Sequence, residues 1–443
     1  LNEVLRIVRS TGLFKLDKAD LLLIVLTVVL LFYWGSRMSL GYGAIWDTQM
    51  TIFQQYVRLG NGLINGNGFY PDPAEPTPTF FGPLYPTYIG LMDKFFAPGQ
   101  FKLLAINFVA LSIVVLLVRR ATQKLTGNSI LALIVSVALL FWPDFMLAAA
   151  RTQPEFLGAA LAISGTIVWT IRQGNMTTAI ISGVLLGLAA LTRSEYLALA
   201  GVISAFIWLS QKDLKLGAIT LIAALVITVP WITYVSIDHQ QFVPISVGGG
   251  LSLLLGIAQL QDGNEMGVEQ SDRWAGCCDG RADLPYWSVD RERHRASRAL
   301  NIAADNPGWL VTHMWHRWIF WLNNESDVLG KIVGFLGADW FYYAMFFTKF
   351  VMIAGFTIAL VQLGRLKKAA QSLPRDLLPI LIIPIYLAAI FTPFRIEIRY
   401  LTAAWPMIFI TLAWLLTQSG LIERLTAYIR SQTDKRAEAQ QTT

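Results

Sequence analysis

Long apolar runs broken by short polar stretches organise this chain. The first, Leu21–Tyr33, is nearly all Leu, Val and Ile, and Trp34 follows it. A helix over Leu21–Met38 would rise about 27 Å at roughly 1.5 Å per residue, enough to cross a hydrocarbon core. Run length predicts about ten spanning helices: Leu21–Met38, Phe101–Val118, Ile130–Met146, Phe156–Ile171, Thr178–Leu191, Tyr196–Leu209, Leu216–Val235, Tyr342–Leu363, Leu377–Thr392 and Leu401–Thr417.

Basic residues orient these runs. Arg6, Arg9, Lys15 and Lys18 precede the first, and Arg119, Arg120 and Lys124 lie between the second and third. Arg172, then Lys212 and Lys215, then Arg365, Lys367, Lys368 and Arg375 follow, and the tail carries Arg424, Arg430, Lys435 and Arg436. With ten helices every cluster falls on one face, which puts both termini inside. The chain then divides into a transmembrane module (1–235) that includes a first outer loop (39–100), an outer region between the seventh and eighth helices (236–340), C-terminal transmembrane helices (341–420) and a cytoplasmic tail (421–443).

Composition agrees. Of 443 residues, 55% are hydrophobic and 14% charged, against about 25% charged in soluble domains; the mean hydropathy is +0.51. This excludes a soluble globular protein and implies an all-α polytopic membrane protein. The first run is too long, and too flanked by charge, for a cleaved signal, so a retained helix is expected. The net charge of +6 reports inward-facing loops rather than nucleic-acid binding. Adjacent Cys277 and Cys278 give neither a disulfide framework nor a zinc spacing.

The outer stretches carry the candidate chemistry. Asp47 closes Gly41–Asp47, just beyond the first helix. Ile52, Tyr56, Leu59 and Leu63 recur at helical spacing, Asn65–Gly68 breaks the pattern, and Pro83-Leu84-Tyr85-Pro86 opens a second short helix. Two helices lying along the membrane surface fit this, and capping the first of them is the plainer role for Asp47. In the second outer region, Asp290–Asn306 predicts an exposed helix, Asn306-Pro307-Gly308 a turn, and Trp309–Leu322 an interfacial helix or an eleventh span. His313-x-x-His316 could ligate a metal, although packing beside Trp is the commoner role for such histidines.

Charges also stand in short outer loops: Asp144; Arg151 and Glu155; Arg193 and Glu195; Arg395, Glu397 and Arg399. Charge at membrane depth is costly and marks functional sites, while mutual pairing, such as Arg151 with Glu155 at i,i+4, is the structural alternative. Arginines suit a phosphate or pyrophosphate. A carboxylate beside them suits a general base or a metal ligand. Asp144 and Glu155 are the supporting acids or metal ligands of this set. A wall of apolar helices suits an isoprenoid tail.

An ordered series of short motifs is similar to the membrane-embedded GT-C glycosyltransferases, in particular the protein-O-mannosyltransferase-like and aminoarabinose-transferase-like branch. Trp46-Asp47 with Tyr56, Gly60 and Gly66-Asn67-Gly68 resembles the first outer loop of that family with its functional Asp. Gly82-Pro83-Leu84-Tyr85-Pro86 resembles the Pro-Pro-Leu-Tyr-Pro element, Arg151–Glu155 the Ser/Thr-x-x-Glu segment, and Gly187–Arg193 the Gly-Leu-Ala-x-Leu-x-Arg segment. Val229-Pro230-Trp231, Phe242–Ser246, Asn306-Pro307 and Arg399-Tyr400 with Pro406 resemble later landmarks. Departures are the Gly82 in place of Pro, the absence of Arg-Asn after Trp231, Thr48 where protein O-mannosyltransferases carry a second acid, and the lack of Lys and Glu around Phe80-Phe81-Gly82.

The resemblance implies an inverting transfer from a polyprenyl-phosphate sugar to an acceptor hydroxyl on the outer face of the cytoplasmic membrane. Asp47 would be the base, Arg151, Arg193, Arg399 and Arg395 would hold the phosphate, and Tyr56 and Tyr85 would belong to the substrate loop. The acceptor would be a lipid or a glycan, with a protein less favoured by Thr48; membrane lipids are partners and nucleic acid is not. A divalent cation, Mg or Mn, is an optional assistant. The rival class is a transporter or flippase of lipid-linked sugars, against which stand the large outer region and the lack of an internal repeat.

Overall fold

The computed structural model describes residues 16–40, 55–69, 81–95, 101–150, 153–172, 174–258, 288–316, 318, 347–358, 360–362, 376–394 and 398–419. Every regular element among them is helical. In chain order these are α1 (Lys18–Leu40), α2 (55–64), α3 (Leu84–Phe95), α4 (Phe101–Thr126), α5 (Ser129–Leu140), α6 (Pro143–Ala150), α7 (Pro154–Ile171), α8 (Met176–Thr192), α9 (Glu195–Gln211) and α10 (Leu214–Asp238). After them come α11 (Gly249–Ala258), α12 (Val289–Asp305), α13 (307–316), α14 (Phe347–Gln362), α15 (Leu378–Phe391), a 3-10 turn (Ile398–Leu401) and α16 (Ala404–Gln418).

Helix stands at each of the ten expected positions. Among the described residues three helices are long and apolar enough to cross a membrane, Ala105–Thr126, Pro154–Ile171 and Leu214–Asp238, and the pair α5–α6 makes a fourth if counted as one. Apolar side chains on α1 and α10, such as Phe32 and Val226, face outward, as they must in lipid. The chain is an integral membrane protein.

The expected third span, Ile130–Met146, is two helices bent by 58° between Leu140 and Pro143. Asn128 caps the first by accepting from the N–H groups of Ile130 and Leu131. Pro143 has no N–H to continue the ladder and its ring crowds the preceding turn, so a new helix starts there. Asp144 therefore sits in the first turn of α6, buried rather than at an outer rim.

Helix α7 is the hub, buried along nearly its whole length. Small residues let its neighbours come close, as is usual where lipid removes the hydrophobic drive for association. A Cβ on Gly165 would lie 3.1 Å from the Ser182 carbonyl of α8, and one on Gly183 would lie 2.2 Å from the Thr220 carbonyl of α10. Hydroxyls of Thr166, Thr170, Thr220 and Thr411 donate to carbonyls four residues earlier, so no buried donor is stranded there.

The two ends of α7, about 26 Å apart at 1.5 Å per residue, have opposite characters. At its C-terminal end Lys124 donates to the carbonyl of Thr170 and pairs with Asp376, both at 2.8 Å. On the same end of α4, Arg119 bridges Asp17 and Asp20, and Arg120 binds Asp20 at 2.8 Å. These basic residues thus share one end of the bundle. The charged group described below occupies the other.

Outside the bundle, α12 matches the expected Asp290–Asn306 helix and is capped by Ser288. One face of it is buried rather than exposed: Arg291, Glu292, Arg295 and Ala299 pack inward. The Glu292 carboxylate accepts from the Leu251 N–H at 3.0 Å and so caps α11. Asn306 ends α12 and α13 follows at once. There His313 is buried and stacks on Trp309 with ring centroids 4.4 Å apart.

Candidate functional site: a charged cluster at one end of the bundle

Three helix termini meet at the N-terminal end of α7. Glu155 lies in the first turn of α7, Glu195 in the first turn of α9, and Arg193 caps the C-terminus of α8. Each charge has the sign its helix end favours, carboxylates at the N-termini and the guanidinium at a C-terminus. Arg193 Nη1 donates to Glu155 at 2.8 Å, and its Nε donates to Glu195. Its carbon lies 4.4 Å over the ring of Tyr400, a cation–π arrangement. Tyr400 in turn stacks on Phe391 with centroids 5.2 Å apart, and the Tyr386 hydroxyl donates to the Glu195 carbonyl.

One cation thus faces two carboxylates in a mostly buried setting. In the sequence Arg151 is four residues from Glu155, and Arg399 precedes Tyr400.

The segment ahead of α3 reaches this cluster through a glycine. A Cβ on Gly82 would lie 2.3 Å from the Leu191 carbonyl and 2.8 Å from that of Thr192. Gly82 therefore stands where proline could not, and it lays the Phe81–Tyr85 segment directly beside Arg193. A second glycine pair crosses α2 over α3: a Cβ on Gly60 would sit 2.1 Å from the Pro86 carbonyl, and one on Gly90 would sit 2.4 Å from the Gly60 carbonyl. Tyr56 is wedged between, 4.5 Å from Phe81 and edge-on to Tyr85 at 5.2 Å. Tyr85 is fully buried; its phenol is held well above its ordinary pKa by that burial first and by the charge of Glu155 next. Further along the loop, Phe69 packs edge-on against Trp231 at 4.9 Å, and Trp231 Nε1 donates to the Ile245 carbonyl at 2.8 Å.

A second buried pair lies apart from the first. Asp144 of α6 and Lys349 of α14 are 3.2 Å apart, with side chains 1% and 0% exposed. Beside them Trp142 packs on Trp405 at 4.9 Å, and Asn107 ties α4 to α6 through the Ala149 carbonyl at 2.8 Å.

Of the residues singled out in the sequence, Glu155 and Arg193 come together with Glu195 and Tyr400, and Tyr85 stands within electrostatic reach of Glu155. Tyr56 supports Tyr85, and Asp144 belongs to the other pair. Asp47, Arg151, Arg395 and Glu397 lie outside the described residues, as do the Arg399 side chain and the end of Trp309–Leu322. Lys349 is the residue that sequence reasoning passes over; its signal is a single cation inside the apolar run from Tyr342 to Leu363. Among the described residues, no group of three or more His, Cys, Asp or Glu side chains is placed to hold a metal ion. His313 is engaged by Trp309, and both glutamates of the cluster share Arg193.

No protein-family model and no curated protein matches the chain. Solved structures do. The archaeal oligosaccharyltransferase AglB from Archaeoglobus fulgidus, in complex with an inhibitory peptide and a dolichol-phosphate, superposes with a TM-score of 0.51 at 15% identity, over 92% of this chain and 52% of that one. The apo form of the oligosaccharyltransferase from the same organism gives 0.51 at 15%, over 93% and 52%. A form tethered through a disulfide to an acceptor peptide containing the NVT sequon gives 0.51 at 14%, over 94% and 51%. The chain spans about half the length of these structures. At such identity the likeness is one of fold, and the fold is GT-C-like.

Proposed function

We infer that this protein is an inverting glycosyltransferase that moves a sugar from a polyprenyl-phosphate donor to an acceptor hydroxyl at the outer face of the cytoplasmic membrane. The observation that carries this reading is the Glu155–Arg193–Glu195–Tyr400 cluster. It lies in a GT-C-like fold, at the end of α7 opposite the basic residues. The dolichol-phosphate found with the archaeal enzyme supports an isoprenoid phosphate as the carrier. The aromatic and motif resemblance of residues 46–86 supports Asp47 as the base.

In this reading the Asp47 carboxylate takes the acceptor hydroxyl proton while that oxygen forms a bond to the anomeric carbon. The bond from that carbon to the phosphate oxygen breaks, and polyprenyl phosphate leaves with the electron pair. Arg151, Arg399 and Arg395 hold the departing phosphate together with Arg193, so complementarity rises as charge develops. Glu155 and Glu195 fix the Arg193 fork in place. Lipid and glycan acceptors fit best, because Thr48 stands where protein O-mannosyltransferases carry their second acid.

A second reading, a transporter or flippase of lipid-linked sugars, is favoured by one observation, the buried Asp144–Lys349 pair, since charges within membranes also line transport paths. Mass spectrometry of lipid-linked sugars and surface glycans in cells with and without the protein separates the two. A transferase leaves its donor unspent and one glycan unmodified when deleted. A flippase leaves the whole lipid-linked glycan trapped on the inner face.

A further inference from the structure

The Tyr85 hydroxyl is sealed from solvent, and among the described residues no group hydrogen-bonds to it. A buried hydroxyl left in this way costs free energy, so its retention calls for a reason. Its place is fixed from two sides. Gly82, three residues earlier, rests on the carbonyls of Leu191 and Thr192, next to Arg193. Tyr56, Tyr85, Ile89 and Leu157 form one buried cluster, and Leu157 stands two residues past Glu155 in the first turn of α7. The phenol is held well above its ordinary pKa by burial first and by the charge of Glu155 next, so it keeps its proton and stays a donor.

Glu155 and Glu195 share one guanidinium. A phosphate at Arg193 brings a third anion to that cation, in a mostly buried setting where uncompensated charge is costly. The two carboxylates hold different parts of the fork. Glu195 accepts from Nε, set back beside the side-chain stem, whereas Glu155 accepts from Nη1 at the tip. The tip is where a phosphate docks, so Glu155 is the group that gives way.

We propose that Tyr85 is a positioning residue: when the donor phosphate takes the tip of Arg193, the displaced Glu155 carboxylate accepts a hydrogen bond from the Tyr85 hydroxyl. A hydroxyl donating to a carboxylate makes one of the stronger hydrogen bonds available to a protein. The exchange thus spends on the bound state a donor that the free protein leaves idle. The claim rests on the glycosyltransferase reading, in which Arg193 holds phosphate; Glu155 and Glu195 fix its fork until the donor arrives.

Two readouts on the full-length protein in detergent decide it: the unfolding temperature without ligand, and the Kd for farnesyl phosphate, a short-chain polyprenyl phosphate. Tyr85→Phe removes only the idle hydroxyl. It is expected to raise the unfolding temperature of the free protein and to weaken binding roughly 10–100-fold, the worth of a hydrogen bond to a charged group. In a Glu155→Ala background the same substitution should change Kd by less than about threefold, because no carboxylate remains to be received. Glu155→Gln, which removes only the charge, is a second background with the same expectation. Tyr88→Phe is the control: its phenol hydrogen-bonds to the backbone of Ile106, so its loss should lower the unfolding temperature and leave Kd unchanged. A lower unfolding temperature in Tyr85→Phe would mean that the hydroxyl already has a partner, and would overturn the proposal. An unchanged Kd overturns it too, as does an equal loss in Tyr88→Phe. A loss that persists in both Glu155 backgrounds would mean that Tyr85 touches the phosphate itself, and the exchange is then wrong. If wild type binds no farnesyl phosphate, the phosphate role of Arg193 fails first and the exchange falls with it; wild-type binding with an unaffected Tyr85→Phe sinks the exchange alone.

Discussion

Glu155 and Arg193 stand 38 residues apart in the chain and 2.8 Å apart in space. The antiparallel pairing of α7 with α8 brings them together, and Glu195 completes the bridge from the next helix. Arg193→Met leaves two mostly buried carboxylates without their shared cation, a change that costs about 3–5 kcal/mol for buried pairs. Arg193→Lys restores the charge but neither the two-pronged contact nor the stacking on Tyr400, so it should recover part of the loss. Unfolding in detergent measures both. Equal stability of Arg193→Met and wild type would sink the structural role given to this cluster.

The Asp144–Lys349 pair makes a sharper case, because both side chains are sealed from solvent. Lys349→Met strands the carboxylate and should destabilise by about 3–5 kcal/mol. The double variant Asp144→Leu with Lys349→Met should recover most of that, since apolar replacements of a buried pair are commonly neutral or better. A double variant as unstable as the single one would show that the coupling between α6 and α14 is not electrostatic.

Gly82→Ala tests how the segment ahead of α3 is seated. The new Cβ would press on the Leu191 and Thr192 carbonyls at 2.3 and 2.8 Å, so the loop must lift away from Arg193. Gly201→Ala, with nothing within 4 Å, is the matched control and should be neutral or slightly stabilising. Protease sensitivity of residues 81–95 is expected to rise in the first variant and not in the second.

At the basic end of the bundle, hydrogen bonding from Arg119, reinforced by the Asp20 N–H, pulls the Asp17 carboxyl from 3.8 down to about 2. A depressed folded pKa means the contribution of this contact is fully present above about pH 4 and is lost as pH falls through the folded value. Asp17→Asn should therefore unfold more easily than wild type at pH 6, and the two should converge near pH 2. A difference that persists unchanged at the lowest pH would assign the effect to packing instead.

Apolar run length points to where helices lie, because lipid leaves the chain few ways to hide backbone groups; among the described residues three are long and apolar enough to span, and the expected third span is broken at Pro143. Clustering of charge in short loops likewise points to Glu155, Arg193 and Glu195. Partner choice is less legible. Spacing within one helix suggests Arg151 for Glu155, whereas the Arg193 bond depends on how two helices pack, which no local rule contains. The break at Pro143 is visible as a proline, but its burial of Asp144 against Lys349 depends on a helix about 200 residues away. The close approaches at Gly60 and Gly82 are equally silent, since a glycine in sequence does not say which backbone lies upon it.

The most direct measurement is sugar transfer by the purified protein in vesicles, wild type beside Asp47→Asn, with donor binding recorded separately. The account predicts release of polyprenyl phosphate coupled to glycosylation of an acceptor hydroxyl. In Asp47→Asn it predicts a fall of about 10² to 10⁴ in rate, the usual contribution of a general base, with donor affinity retained. Transfer in Asp47→Asn within about threefold of wild type, far less than a base contributes, would contradict the assignment of Asp47. Translocation of lipid-linked sugar without any transfer would contradict the account as a whole.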